Sequence, residues 1–250
     1  MIRGLYTSAM GMIVQEKRQA NVSQNLANVE TNSFKQQQII AAASNQMNVL
    51  NRSNDPGRRL TAIGSMNFGT AIDDQYTDYR QGILQETKNP LDFAIDGDGF
   101  FTVQLPDGQI AYTRDGSFRL NANGELTTKQ GYLVLGTDGQ GIPLGTEDIA
   151  ADAYGGIAVP DGRYYTLDIV AFADPQALQR LGDNMYTAGG EPPVPGAYEM
   201  KQGFLEGSNV DPLSELVKMI EITRNFESNQ KAVQSMDETL GKAVNEVGQL

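Results

Sequence analysis

Three aspartates fall within seven residues, Asp92, Asp96 and Asp98, in the run Leu-Asp-Phe-Ala-Ile-Asp-Gly-Asp-Gly-Phe. Clustered carboxylates can ligate Ca²⁺ or share the acid and base roles of a hydrolase. The spacing is not that of an EF-hand loop, because no third Asp or Asn follows two residues after Asp98. Asp96 and Asp98 each precede a glycine, which reads as turn chemistry. The other Gly-rich turns lack both the GxxxxGK[S/T] and the GxGxxG arrangement of phosphate-binding loops. With 31 acidic residues, some pair must lie at a glycosidase spacing, yet no pair is singled out. There is no His and no Cys, so a Ser-His-Asp triad, a thiol nucleophile, a zinc finger and haem or iron–sulfur ligation by the usual side chains are all excluded. The expectation is a protein without catalytic, cofactor-binding or metal-binding residues.

The elements that must position these side chains are of two kinds. The 250 residues carry a net charge of −12, unevenly spread. Residues 1–70 hold seven basic and three acidic residues, residues 71–207 hold eight and twenty-one, and residues 208–250 hold four and seven. So acidic a chain is a poor partner for nucleic acid. No run approaches the ~18 apolar residues of a membrane span, and the N-terminus lacks the pattern of a cleaved secretory signal.

Helical periodicity marks both ends. From Ile2 to about Asn28, a heptad frame through Leu5, Ala9, Met12, Glu16, Gln19, Ser23 and Leu26 is apolar at its ends and polar in its middle. Near the C-terminus, Asp211 can cap a helix that has Pro212 at its first position and Glu215 in its first turn. From Pro212 to about Val247 the chain is free of further proline, enough for a helix of roughly 54 Å. Met219, Phe226, Val233, Leu240 and Val247 recur every seven residues. Leu216, Thr223, Gln230, Asp237 and Val244 are read as the companion row, mixed and largely polar. Such narrow apolar stripes imply a partner surface.

Between the helices, six Asp-Gly or Asn-Gly pairs from Asp98-Gly99 to Asp161-Gly162 punctuate short strand-like runs. The runs are Phe100–Gln104, Ala111–Thr113, Ser117–Leu120, Leu126–Thr128, Tyr132–Leu135 and a longer Tyr164–Ala173. This spacing predicts an antiparallel β unit over residues 76–207. The repeated Gln81-Gly82-Ile83-Leu84-Gln85 and Gln202-Gly203-Phe204-Leu205-Glu206 predict two paired strands. Residues 36–75 read as a connector, with Ile39–Leu50 helical and Asn51–Arg59 a loop. The fold class is therefore mixed α and β: two long terminal helices, packed in coiled-coil fashion, bracket an antiparallel all-β domain. The domains are 1–35, 36–75, 76–207 and 208–250.

Several ordered motifs then resemble one family. Asn25-Leu26-Ala27-Asn28-Val29-Glu30-Thr31-Asn32-Ser33-Phe34-Lys35 is similar to the N-terminal signature of bacterial flagellar rod and hook proteins. Asn89-Pro90-Leu91-Asp92, Ala94 to Phe101, Ala111 to Phe118, Gly207-Ser208-Asn209-Val210, and Met219-Ile220 with Arg224 and Phe226-Glu227 follow in the order of that family. One position departs: Ser33 stands where the family has Gly. Gly would permit a positive φ, so Ser implies either a different turn or Asn32 in the left-handed position. The resemblance implies a non-enzymatic subunit of the flagellar basal body in the cell envelope. Such a subunit is exported by the flagellar type III apparatus without a cleaved signal, and its terminal helices pack with copies of itself and with other rod and hook proteins. It puts the assembly interface at Leu5, Met12, Asn25, Leu26, Asn28, Phe34, Leu216, Met219, Phe226, Val233, Leu240 and Val247. The acidic β unit also keeps open a cell-wall glycoside hydrolase or a secreted, adhesin-like β module.

Overall fold

The computed structural model describes residues 2–51 and 61–247. Val247 closes the last helix, but its side chain lies outside the described residues, as does most of the loop expected at Asn51–Arg59. The chain divides into two compact units. One holds residues 1–27, 37–76 and 211–250, and the other residues 28–36 and 77–210.

The first unit contains helix α1 (Ile2–Ala27), a two-stranded sheet of β1 (Gln37–Asn51) and β2 (Thr61–Thr77), and helix α2 (Pro212–Val247). The α2 start follows the sequence reading. Asp211 accepts hydrogen bonds from the backbone N–H of Leu213 and Ser214, satisfying donors that a helix start leaves orphaned. The helix expected at Ile39–Leu50 is instead strand. Asn25 gives the physical reason, because its amide donates to the Gln37 carbonyl (2.8 Å) and accepts from the Gln37 N–H (3.1 Å). That pairing holds Gln37 extended where β1 begins, and β2 satisfies the rest of the strand.

The second unit is an antiparallel β body. It opens with β3 (Leu84–Glu86), β4 (Phe93–Gly97), β5 (Phe100–Gln104) and β6 (Ile110–Thr113). Its main sheet runs in the order 179–182, 185–187, β6, β5, 133–134, 126–127, 119–120, with 169–170 also paired to β5. Phe100 and Phe101 show the two-residue alternation of a strand. Phe101 enters a core with Phe93, Ile95, Val103 and Leu126, while Phe100 joins Tyr112, Phe172, Leu178 and Tyr186 on the other face. The long run Tyr164–Ala173 is split: 164–166 pairs with 156–158, and 169–170 pairs with β5. Asp168 sits at the break, its N–H given to Leu135 and its carbonyl to Thr102.

The two echoed segments do pair. Leu84, Gln85 and Glu86 lie opposite Glu206, Leu205 and Phe204. Both glycines of close approach are needed there, since a methyl group on Gly82 would collide with the Gly207 carbonyl.

Glycine geometry makes a paired prediction. A Cβ on Gly116 would overlap the Phe93 carbonyl oxygen, whereas one on Gly241 in α2 meets nothing within 4 Å. Gly116→Ala should lower the free energy of unfolding by about 3 kcal/mol. Gly241→Ala should strengthen α2 by about 1 kcal/mol. Urea melts followed by helical circular dichroism measure both.

Candidate assembly surface and its anchoring turn

The signature turn is built around a buried carboxylate. Lys35 is 1% exposed and donates to Glu206 Oε1 at 2.6 Å and to the Arg80 carbonyl at 2.9 Å. Glu206 also accepts from the Gly82 N–H at 2.8 Å and from Arg114 at 3.4 Å. Burial pushes the Lys35 ammonium below its ordinary pKa, against the pull of Glu206. Around this cluster, Ser33 N–H donates to the Glu206 carbonyl, Asn209 N–H to the Phe34 carbonyl, and Gln36 N–H to the Asn209 side chain. The Asn209 amide completes the clasp by donating to the Asp78 and Arg80 carbonyls. Residues from both ends of the body thus close on each other.

Ser33 settles its own turn. It takes the left-handed conformation itself, at φ 56°, rather than passing it to Asn32. Its hydroxyl donates to the Arg114 carbonyl at 2.7 Å, which offsets strain of about 1–2 kcal/mol for an L-residue.

In the helix unit, α1 and α2 pack antiparallel. A Cβ on Gly4 would lie 2.6 Å from Met236, and one on Gly11 3.1 Å from Asn229. Asn25 donates to Glu215 at 3.0 Å. Each step of seven along α1 is thus matched by a step of seven back along α2. This contact row lies one residue before Leu5, Met12 and Leu26, all three of which are half-buried beside it. On α2, Met219, Phe226, Val233 and Leu240 are half-buried. Their companion row in the pair is Glu215, Ile222, Asn229 and Met236, not the row containing Leu216 and Asp237, which is exposed. The glycines explain the shift: they let the helices approach closely yet contribute nothing to an apolar pattern.

Other expected interface residues have internal partners. Asn25 is buried within the helix unit, Asn28 accepts from Thr31, and Phe34 is buried in the body beneath the Arg180 guanidinium, 5.2 Å away. The three aspartates diverge. Asp92 accepts from Asn89, Asp96 pairs with Lys201, and Asp98 borders an aromatic notch.

The sequence reading did not single out Leu213, Val217 and Ile220. With Leu216 they form an exposed apolar face at positions i, i+3, i+4 and i+7 of α2, with Leu213 70% exposed and Ile220 54%. A spacing of three and four from Leu213 was the available signal.

A body closed by its own two ends, beside a helix pair with an open apolar face, is the organisation of a building block. Residues 94–169 match the flagellar hook protein FlgE/F/G D1 domain, and residues 201–246 match the flagellar basal body rod FlgEFG protein C-terminal domain. The flagellar basal-body rod protein FlgG of Borreliella burgdorferi is 36% identical over 265 residues, covering 98% of both chains. The flagellar hook-basal body complex protein FlhO of Bacillus subtilis is 33% identical over 273 residues, covering all of both, and FlgG of that organism is 32% identical over 263 residues, covering 98% of this chain and 99% of its own. The chain belongs to the flagellar basal-body rod protein family.

Removing the Lys35 ammonium should leave Glu206 buried without its closest cation. Lys35→Met is therefore expected to cost about 3–5 kcal/mol in urea unfolding. Ser33 supplies a separate test: Ser33→Gly should stay within about 1 kcal/mol of the parent, since relieved strain offsets the lost hydroxyl bond. Ser33→Val should cost more than about 2 kcal/mol, because it keeps the strain and adds a branch.

Acid sensitivity follows from several carboxylates. Arg80 holds Asp78 below the usual carboxylate range, Lys201 does so for Asp96, and Ser214 for Asp211. A depressed native pKa gives stability that is present above about pH 4 and lost as pH falls through the native values. Urea midpoints should fall between pH 6 and pH 3, and Asp78→Asn should flatten that slope.

Proposed function

We propose that the chain is a structural, non-enzymatic subunit of the bacterial flagellar basal-body rod, exported through the flagellar type III apparatus. Its terminal helices polymerise as an inner domain with copies of itself and with other rod and hook proteins, in coiled-coil fashion. The β body forms the outer domain, and the product is the axial shaft needed for motility. The observation that carries this reading is the exposed face of Leu213, Leu216, Val217 and Ile220 on a helix whose opposite side is already taken by α1. Family membership supplies the occupant, since an axial structure repeats related subunits. The separate partners of Asp92, Asp96 and Asp98 argue against a shared acid–base site. Among the described residues, no helix is long and apolar enough to cross a membrane.

The test separates folding from assembly. Leu213→Glu combined with Ile220→Glu changes two exposed positions, so the monomer should melt within about 0.5 kcal/mol of the parent per site. The same variant should lose concentration-dependent sedimentation and fail to restore swimming to a strain lacking the parent gene. Normal assembly and swimming would contradict the proposal.

A further inference from the structure

The most exposed large side chain of the body is Tyr154, at 81%. It is nevertheless rigidly presented. Its N–H donates to Asp152 at 2.8 Å and its carbonyl accepts from the Tyr198 hydroxyl at 3.3 Å. Its own hydroxyl makes no hydrogen bond among the described residues. A tyrosine held this way offers a large amphipathic surface at little entropic cost, as binding hot spots do.

Elsewhere in the body lies a notch of about 230 Å³ walled by Tyr79, Phe100, Phe172 and Pro175. Phe100 meets Tyr79 and Phe172 edge-on, so the walls are braced against each other. Two polar groups border the space. Arg114 gives one N–H to the Gly97 carbonyl and another to Glu206, and its Nε is left without a partner. Asp98 stands exposed at the rim. The notch therefore offers aromatic edges, one spare donor and one acceptor. A carboxylate would meet Asp98, and an ammonium would meet Arg114. A phenol suits all three features, because its ring fills an aromatic space while its hydroxyl both accepts and donates.

We propose that this notch is a socket for Tyr154 of a second copy of the chain, a body-to-body contact separate from the helix face. The inference rests on the rod-subunit reading for its occupant. Tyr154 enters with its ring between Phe100 and Phe172, accepts from Arg114 and donates to Asp98.

The test is a double-mutant cycle in sedimentation velocity on the full chain, using Tyr154→Phe, Asp98→Ala and the pair, with Tyr154→Ala as the strongest lesion. All the side chains changed are exposed, so melting should match the parent. Tyr154→Ala should weaken self-association at least tenfold. Tyr154→Phe and Asp98→Ala should each weaken it severalfold, and the pair no more than either alone, because both remove one hydrogen bond. Parent-like association of Tyr154→Ala, or strictly additive effects in the cycle, overturns the socket while leaving helix-driven assembly intact. A parent that stays monomeric at every concentration overturns polymerisation itself, and the socket with it.

Discussion

The body depends on the burial of Glu206. Its carboxylate is met by the Lys35 ammonium, the Arg114 guanidinium and the Gly82 N–H, and its backbone is held by Ser33 and by the pairing with β3. These partners come from residues 33–35, 82 and 114, far apart in sequence. A buried charge is costly unless every contact is in place, so this arrangement is satisfied only when both ends of the body are present and folded. An apolar replacement of the same shape could be more stable. The ionic version ties closure to one register, because a slip of one residue would turn Glu206 to the other face of its strand.

The helix unit rests on a different constraint, close approach at glycine. Gly4 and Gly11 bring α2 near enough for Met236 and Asn229 to fill the gaps, and Asn25 ends the row by binding Glu215 and Gln37 together. The polar ends of this row need specific partners, which favours one alignment over neighbouring ones. With one side of α2 so occupied, the face from Leu213 to Ile220 is left for other molecules.

Much of this was legible in the sequence because local chemistry agreed with the final structure. Asp211 and Pro212 marked the start of α2, Asp-Gly pairs marked the turns of the body, and the echoed Gln-Gly segments marked β3 and its partner. What escaped was set by contacts between distant residues. β1 has the composition of a polar helix or linker, and only the Asn25 amide and the pairing with β2 make it a strand. The helix contact row was read one residue late because glycines carry no hydrophobic signal. Lys35 and Phe34 looked like surface signature residues, yet the body buries both. Their roles come from Glu206 and Arg180, over a hundred positions away.

The central claim is that the body is complete within one chain while the helix face is completed by neighbours. Residue-resolved amide exchange on the dilute monomer and on the assembled state tests it most directly. The account predicts that the amides of residues 33–36 and 204–209 are equally protected in both states, and that residues 213–220 gain protection only on assembly. Equal protection of residues 213–220 in both states, or protection of the Glu206 clasp appearing only on assembly, would contradict it.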